Sequence, residues 1–142
     1  MQDITGIEER RYVDQNTVTS DRLLSAERAI KKSGINLEIL DYIIFAHNFG
    51  DVRHYTIHAH TLPSLASRVK HALGIKNNFC VAYDLIFGCP RWIEGIIQPN
   101  AFIKSGIASR YIIIGAETIL KGIDVHDKDS MIYADGAGAV II

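Results

Sequence analysis

The sequence is poor in several things, and each shortage excludes something. Two cysteines in 142 residues cannot build a disulfide framework; their scarcity suits a reducing, cytoplasmic setting in which a free thiol persists. The net charge is −1 and no long Lys/Arg run occurs, so there is no electrostatic footprint for nucleic acid and none for an anionic membrane surface. The longest apolar stretches, such as residues 42–46 and 111–116, are far too short to span a bilayer. Residues 1–11 carry Asp3, Glu8, Glu9, Arg10 and Arg11 with no apolar core behind them, which is not the pattern of a secretory signal. Internal repeats, low-complexity tracts and linkers are also lacking.

What is present is a globular composition, 48% hydrophobic and 22% charged. Residues 4–13 look extended and polar. A helix is expected over 20–33, with Ser20 or Asp21 capping its start. Leu23, Ala26 and Ile30 lie on one face, Leu24 and Ala29 beside it, and Gly34 follows the last turn. Residues 42–46 (YIIFA) read as a buried strand. A long, His-rich connection over 47–62 follows. Pro63 then suits the first position of a helix running through Leu65, Val69 and Leu73 to Gly74. Residues 78–84 read as a second strand, Pro90 to Lys104 as a helix ending near Gly106, and 110–115 as a third strand. Residues 116–129 are charged and irregular, and 130–142 form a glycine-interrupted strand or strand pair. This alternation predicts an α/β fold with a mostly parallel sheet and crossover helices. The chain stops inside the apolar run AVII, so a truncated piece, one partial domain over 1–142, is expected.

The stretch with the most chemistry is residues 83–90 (YDLIFGCP). A strand ends, a small residue bends the chain, and Cys89 stands just before a helix opened by Pro90. Free N–H groups and the positive dipole end at a helix start favour a thiolate. A thiolate is the nucleophile that attacks a thioester carbonyl, and the same N–H groups, that of Cys89 included, can hold the resulting oxyanion. The alternative is an inert small residue at a helix start. For Cys80, in the middle of an apolar strand, the inert reading is the stronger one, because burial raises a thiol pKa.

Several segments, in order, resemble β-ketoacyl-acyl-carrier-protein synthase III of the thiolase-like superfamily. They are Thr5-Gly6-Ile7-Glu8-Glu9-Arg10-Arg11, Leu62-Pro63-Ser64-Leu65-Ala66, Tyr83-Asp84-Leu85 followed by Cys89, Gly115-Ala116-Glu117, and Asp135-Gly136-Ala137-Gly138-Ala139. The resemblance implies the first, N-terminal half of a thiolase-like fold, truncated at both ends. It implies an acyltransferase of fatty acid or related lipid biosynthesis, in which Cys89 takes an acyl group from CoA or acyl carrier protein. The acyl group is then condensed with a malonyl thioester, with loss of CO2. It further implies a homodimer, no tightly bound cofactor, no metal, and a His and an Asn downstream of Ile142 that complete the site. Leu62, Phe87 and Arg91 are the candidate substrate-pocket residues. Leu62 matches a position that reaches across the dimer to bound the partner's acyl pocket, and Lys128 roughly matches a basic residue that stacks on the CoA adenine. Three departures stand out. Ile4 holds the place of a basic residue that contacts CoA phosphate, Arg91 replaces a glycine two residues after the cysteine, and the loop 47–62 is longer than usual. Arg91 is expected either to lower the pKa of the thiol or to crowd the acyl tunnel. Two other readings stay open: a related condensing enzyme of alkylquinolone, dialkylresorcinol or hydroxymethylglutaryl type, or an inert structural and dimerisation piece.

Other polar clusters have plainer readings. His54, His58 and His60 with Asp51 have spacing that metal ligation would permit, but no element fixes them, and a solvated loop is expected. His47 is either a pocket residue or a surface one, and His71 falls on a solvated helix face. Asp124, Asp127 and Asp129 lack the glycine and terminal glutamate of a calcium loop and are expected to solvate a turn. Gly136-Ala137-Gly138 precedes a β-like run, so it is not a dinucleotide fingerprint; close packing is the expected use of these small residues. Trp92, Ile93, Ile96 and Ile97 read as core, and Asp84 as a capping or turn residue with a possible hand in a polar network near the thiol.

Overall fold

The computed structural model of the protein describes residues 2–52, 58–124 and 126–142. Its sheet has four strands in the order β4-β1-β5-β6, with β1 at Tyr42–Ala46, β4 at Val81–Leu85, β5 at Tyr111–Glu117 and β6 at Gly136–Ile141. β1 pairs in parallel with both β4 and β5, whereas β6 runs antiparallel to β5. The parallel part follows from the crossover helices; the reversed edge strand is the one departure from a purely parallel sheet. Between β1 and β4, Asp51–Val52 (β2) and Ala59–His60 (β3) form a small antiparallel ribbon.

β1 and β5 are buried on both faces, which is why YIIFA and YIII are continuous apolar runs rather than alternating ones. Ile43, Phe45, Ile112 and Ile114 point to one side, where α2 (Leu23–Ser33) and α3 (Leu65–Ala72) cover them with Ala26, Leu65, Ala66 and Val69. Ile44, Tyr111 and Ile113 point to the other side, where Phe102 of α4 (Arg91–Lys104) packs. Tyr42 stacks on Tyr111 with ring centroids 5.0 Å apart. At the rim where the parallel strands begin, Asp41 Oδ2 accepts from the N–H groups of Ser109 and Arg110 and ties β1 to the entrance of β5.

Several expectations need correction. Residues 4–13 are not extended throughout, since Gln2–Thr5 form one short helical turn (α1). The helix expected from residue 20 begins as a 3-10 turn over Thr19–Arg22; Asp21 accepts from the Val18 N–H, while Ser20 bonds to Asp51 instead. Pro63 does not open α3. Ser64 caps it by accepting from the Ser67 N–H, a task that needs a side-chain oxygen and that proline cannot perform. Likewise Pro90 is the cap of α4, which begins at Arg91. Trp92, Ile93 and Ile97 are not core, being 41%, 59% and 52% exposed. Gly95 and Pro99 are the buried residues of α4, and the missing side chain at Gly95 lets the helix lie close to Ile113 and Ile44, with Phe102 packing beside them. Gly136 and Gly138 do not serve close packing either: a Cβ on either would meet nothing within 4 Å.

Candidate active site around Cys89

Three parallel strands deliver their C-terminal ends to one rim, and β6, being reversed, brings its first residues there too. From β4 the chain turns through Gly88, whose φ of 59° lies in the left-handed region that glycine tolerates. Cys89 follows, exposed, two residues before α4. It opens on a cavity of about 360 Å³ lined by Arg91, Trp92, the end of β5 (Gly115, Ala116, Glu117), Ala134 and the small residues Gly136–Gly138 of β6. A Cβ at position 115 would lie 2.6 Å from Trp92 Cδ1, so the bare glycine leaves room for the indole where it stands.

Arg91 neither points into open solvent nor stands free beside the thiol. Its Nη2 donates to Glu117 Oε2 at 3.0 Å and its Nη1 to the Gly88 carbonyl at 2.6 Å. The Asn48 N–H donates to the same Glu117 oxygen at 2.8 Å. Burial pushes the Glu117 carboxyl above the usual carboxylate range, against the opposing pull of the Asn48 N–H and the Arg91 guanidinium. Glu117 Oε1 and Arg91 Nε are buried without a hydrogen-bond partner among the described residues. Glu117 belongs to the Gly115-Ala116-Glu117 segment already singled out by resemblance, but its pairing with Arg91 was not foreseen; the signal was a glutamate closing an otherwise apolar strand.

Beside this lies a second polar group. His47 is fully buried at the end of β1. Its Nδ1 accepts from the Gly50 N–H at 2.9 Å, so Nε2 carries the hydrogen and donates to Asp84 Oδ2 at 3.0 Å. Asp84 also accepts from Leu65 N–H at 2.7 Å and Ala66 N–H at 2.8 Å. Its carboxylate therefore caps α3 from the neighbouring strand, where the helix dipole favours negative charge. The capping role expected for Asp84 is met, and His47 is an interior polar residue.

The other candidates are dispersed. Leu62 is 86% exposed and lines a different cavity with Val18, Ser20, Asp51, His60 and Arg68. Phe87 is exposed on the turn before Cys89. Lys128 shares a third cavity with Ile4, Thr5, Asp129, Met131 and Ile132, so the candidate CoA-contact residue lies beside the position where the family's other basic residue is replaced by Ile4. Asp51 is engaged by Ser20 and Arg68, His58 and His60 are exposed, and His54 lies outside the described residues. Among the described residues no three His, Cys, Asp or Glu side chains converge as metal ligands. Asp124 and Asp127 each accept a backbone N–H two residues on, as turn residues do. His71 is exposed, and Cys80 is buried, which raises its thiol pKa. No helix among the described residues is long and apolar enough to cross a membrane.

A turn carrying an exposed cysteine between a strand and a helix, at the exit rim of a mostly parallel sheet, fits the thiolase-like class, and solved structures of that class superpose on this chain. Within the class, the chain is similar over almost its whole length to the N-terminal part of the 3-oxoacyl-[acyl-carrier-protein] synthase III family. The model of that family matches residues 83–142. β-Ketoacyl-[acyl-carrier-protein] synthase III 1 of Vibrio vulnificus is 35% identical over 97% of this chain, and its counterpart in Paracoccus denitrificans is 34% identical over the same share. The chain spans 41% and 40% of the length of these relatives. Among solved structures, the synthase III of Thermus thermophilus matches with a TM-score of 0.82 and 32% identity, over 97% of this chain and 40% of that one. OleA from Xanthomonas campestris shares the fold at a TM-score of 0.78 and 21% identity, over 99% of this chain and 45% of that one.

Proposed function

We propose that the full-length protein is a decarboxylative condensing enzyme of the 3-oxoacyl-acyl-carrier-protein synthase III type. The observation that carries this reading is the exposed Cys89 at the turn into α4, opening on a cavity walled by small residues. The Cys89 sulfur attacks the carbonyl of an acyl thioester on CoA or acyl carrier protein, and the Cys89 N–H receives the oxyanion. The carrier leaves as its thiol, with the acyl group on Cys89. A malonyl thioester then loses CO2, its carbanion attacks the acyl carbonyl, and Cys89 departs as the new carbon–carbon bond forms. A His and an Asn supplied downstream would assist the decarboxylation.

Leu62 and Phe87, both exposed, are assigned to acyl-chain contact, Leu62 across a homodimer. Lys128, beside Ile4, is assigned to CoA contact, and the working setting is the cytoplasm. The test is intact-mass and peptide mass spectrometry of the full-length protein after incubation with acetyl-CoA, longer acyl-CoAs and acyl carrier protein thioesters. An adduct on Cys89, lost in Cys89→Ser, is the expected result. Absence of an adduct with every donor removes the proposal.

A further inference from the structure

One ionic node ties the nucleophile turn to the rim. The Gly88 carbonyl accepts twice from the same residue, from Arg91 Nη1 at 2.6 Å and from the Arg91 backbone N–H at 3.4 Å. Arg91 Nη2 is held by Glu117 at the end of β5, and Glu117 is held by the Asn48 N–H beyond β1. The two side chains are only 14% and 10% exposed, so these charge-assisted bonds work largely away from water, where they are strong and directional. Glycine has the backbone freedom to let the peptide plane between residues 88 and 89 turn over. That peptide is planar and trans, so its carbonyl and its N–H point in opposite directions. Whatever fixes the Gly88 oxygen therefore also fixes the direction of the Cys89 N–H.

The geometry points to Arg91 and Glu117 as positioning residues that lock the plane of the Gly88–Cys89 peptide and so aim the Cys89 N–H at the oxygen of the carbonyl that Cys89 attacks. This rests on the reading of Cys89 as an acyl nucleophile. Arg91 then neither crowds an acyl tunnel nor acts on the thiol directly; it acts through the main chain. The groups facing Glu117 are Arg91 from α4 and His47 from the end of β1.

The experiment compares two reagents on the full-length protein, read at Cys89 by peptide mass spectrometry. p-Nitrophenyl acetate acetylates the sulfur through an oxyanion: the S–C bond forms, the aryl C–O bond breaks, p-nitrophenolate leaves and the thiol proton passes to solvent. Iodoacetamide alkylates the same sulfur by displacing iodide, with no oxyanion. The ratio of the two rates cancels the thiolate fraction and the access of the thiol. Losing one oxyanion donor costs about 10²–10³-fold in rate, so Arg91→Ala is expected to lower the ratio by about 10- to 100-fold. Arg91→Lys, which keeps the charge but cannot span both acceptors, lowers it less. In the unaltered protein the ratio falls as Glu117 takes up its proton on acidification, and in Glu117→Gln it is independent of pH; His47 is present in both and cancels. The pH comparison needs no change at Arg91 and stands if Arg91→Ala misfolds. Ratios that stay within about threefold of the unaltered protein in both Arg91 variants, against the 10²–10³ scale of a lost donor, overturn the assignment. So does a pH-independent ratio in the unaltered protein, or no acetylation of Cys89 by p-nitrophenyl acetate. If p-nitrophenyl acetate gives the expected pattern but no acyl thioester modifies Cys89, the positioning role stands and the condensing function falls.

Discussion

Single atoms decide several properties of this chain. Trp92 stands over Gly115 so closely that a methyl group there would collide with the indole. Gly115→Ala is therefore expected to destabilise the fold by about 1–3 kcal/mol, the usual cost of overpacking, and to shift the emission of Trp92, the chain's single tryptophan. Urea titration followed by fluorescence reads both effects. Tyr111 is fully buried with its hydroxyl unpartnered among the described residues, and burial pushes that hydroxyl up to about 12. Tyr111→Phe keeps the stack on Tyr42 and removes an orphaned polar atom, so a gain of about 1 kcal/mol is expected in the same titration. For Glu117 the sign runs the other way from most carboxylates. Its folded form holds the proton more readily than the unfolded chain, so between the ordinary carboxylate value and the raised one its contribution to stability falls as pH rises. The difference in unfolding free energy between the natural chain and Glu117→Gln should therefore change with pH inside that window and level off above it.

At the scale of elements, hydrophobic runs announce the strands, because β1 and β5 are buried on both faces and have no polar side to interrupt them. The helices α2, α3 and α4 are equally legible from periodicity and their terminal glycines. Joints between elements are not, because they depend on partners far along the chain. Asp84 lies on β4 yet caps α3, 18 and 19 residues earlier in sequence, and no local pattern links the two. Asp84→Asn places an amide where two backbone N–H groups and His47 all donate, which should cost about 1–3 kcal/mol for the donor left unpaired; thermal unfolding measures it. Trp92, Ile93 and Ile97 misled for a related reason. Helical spacing says that apolar residues share a face but not which face meets the sheet, and on α4 the buried positions are Gly95 and Pro99, with Phe102 packed beside them. Cys89 could be located from its turn, whereas the Arg91–Glu117 pair could not, since it joins a helix start to a strand end 26 residues on.

Taken as a whole, the chain spans about two-fifths of its synthase relatives, and Ile86, Phe87, Trp92, Ile93 and Ile97 are all exposed in the segment around Cys89. Exposed apolar side chains gathered in one segment are what an interface or an aggregation liability requires. Produced alone, the 142-residue chain is expected to enhance the fluorescence of anilinonaphthalene sulfonate and to self-associate in light scattering; a clean monomer with no dye response would refute this. The two rims of the sheet are tied by different groups: Asp41 fixes strand entrances at one, and the Arg91–Glu117 node holds the turn before Cys89 at the other. About 20 Å of β5 lies between them at the usual rise per residue. Changes at Asp41 and at Glu117 should therefore sum independently in a double-mutant cycle, while changes at Arg91 and Glu117 should not. If the two rims are independent in this way, changes around Cys89 are expected to leave the contribution of Asp41 to strand entry unaltered.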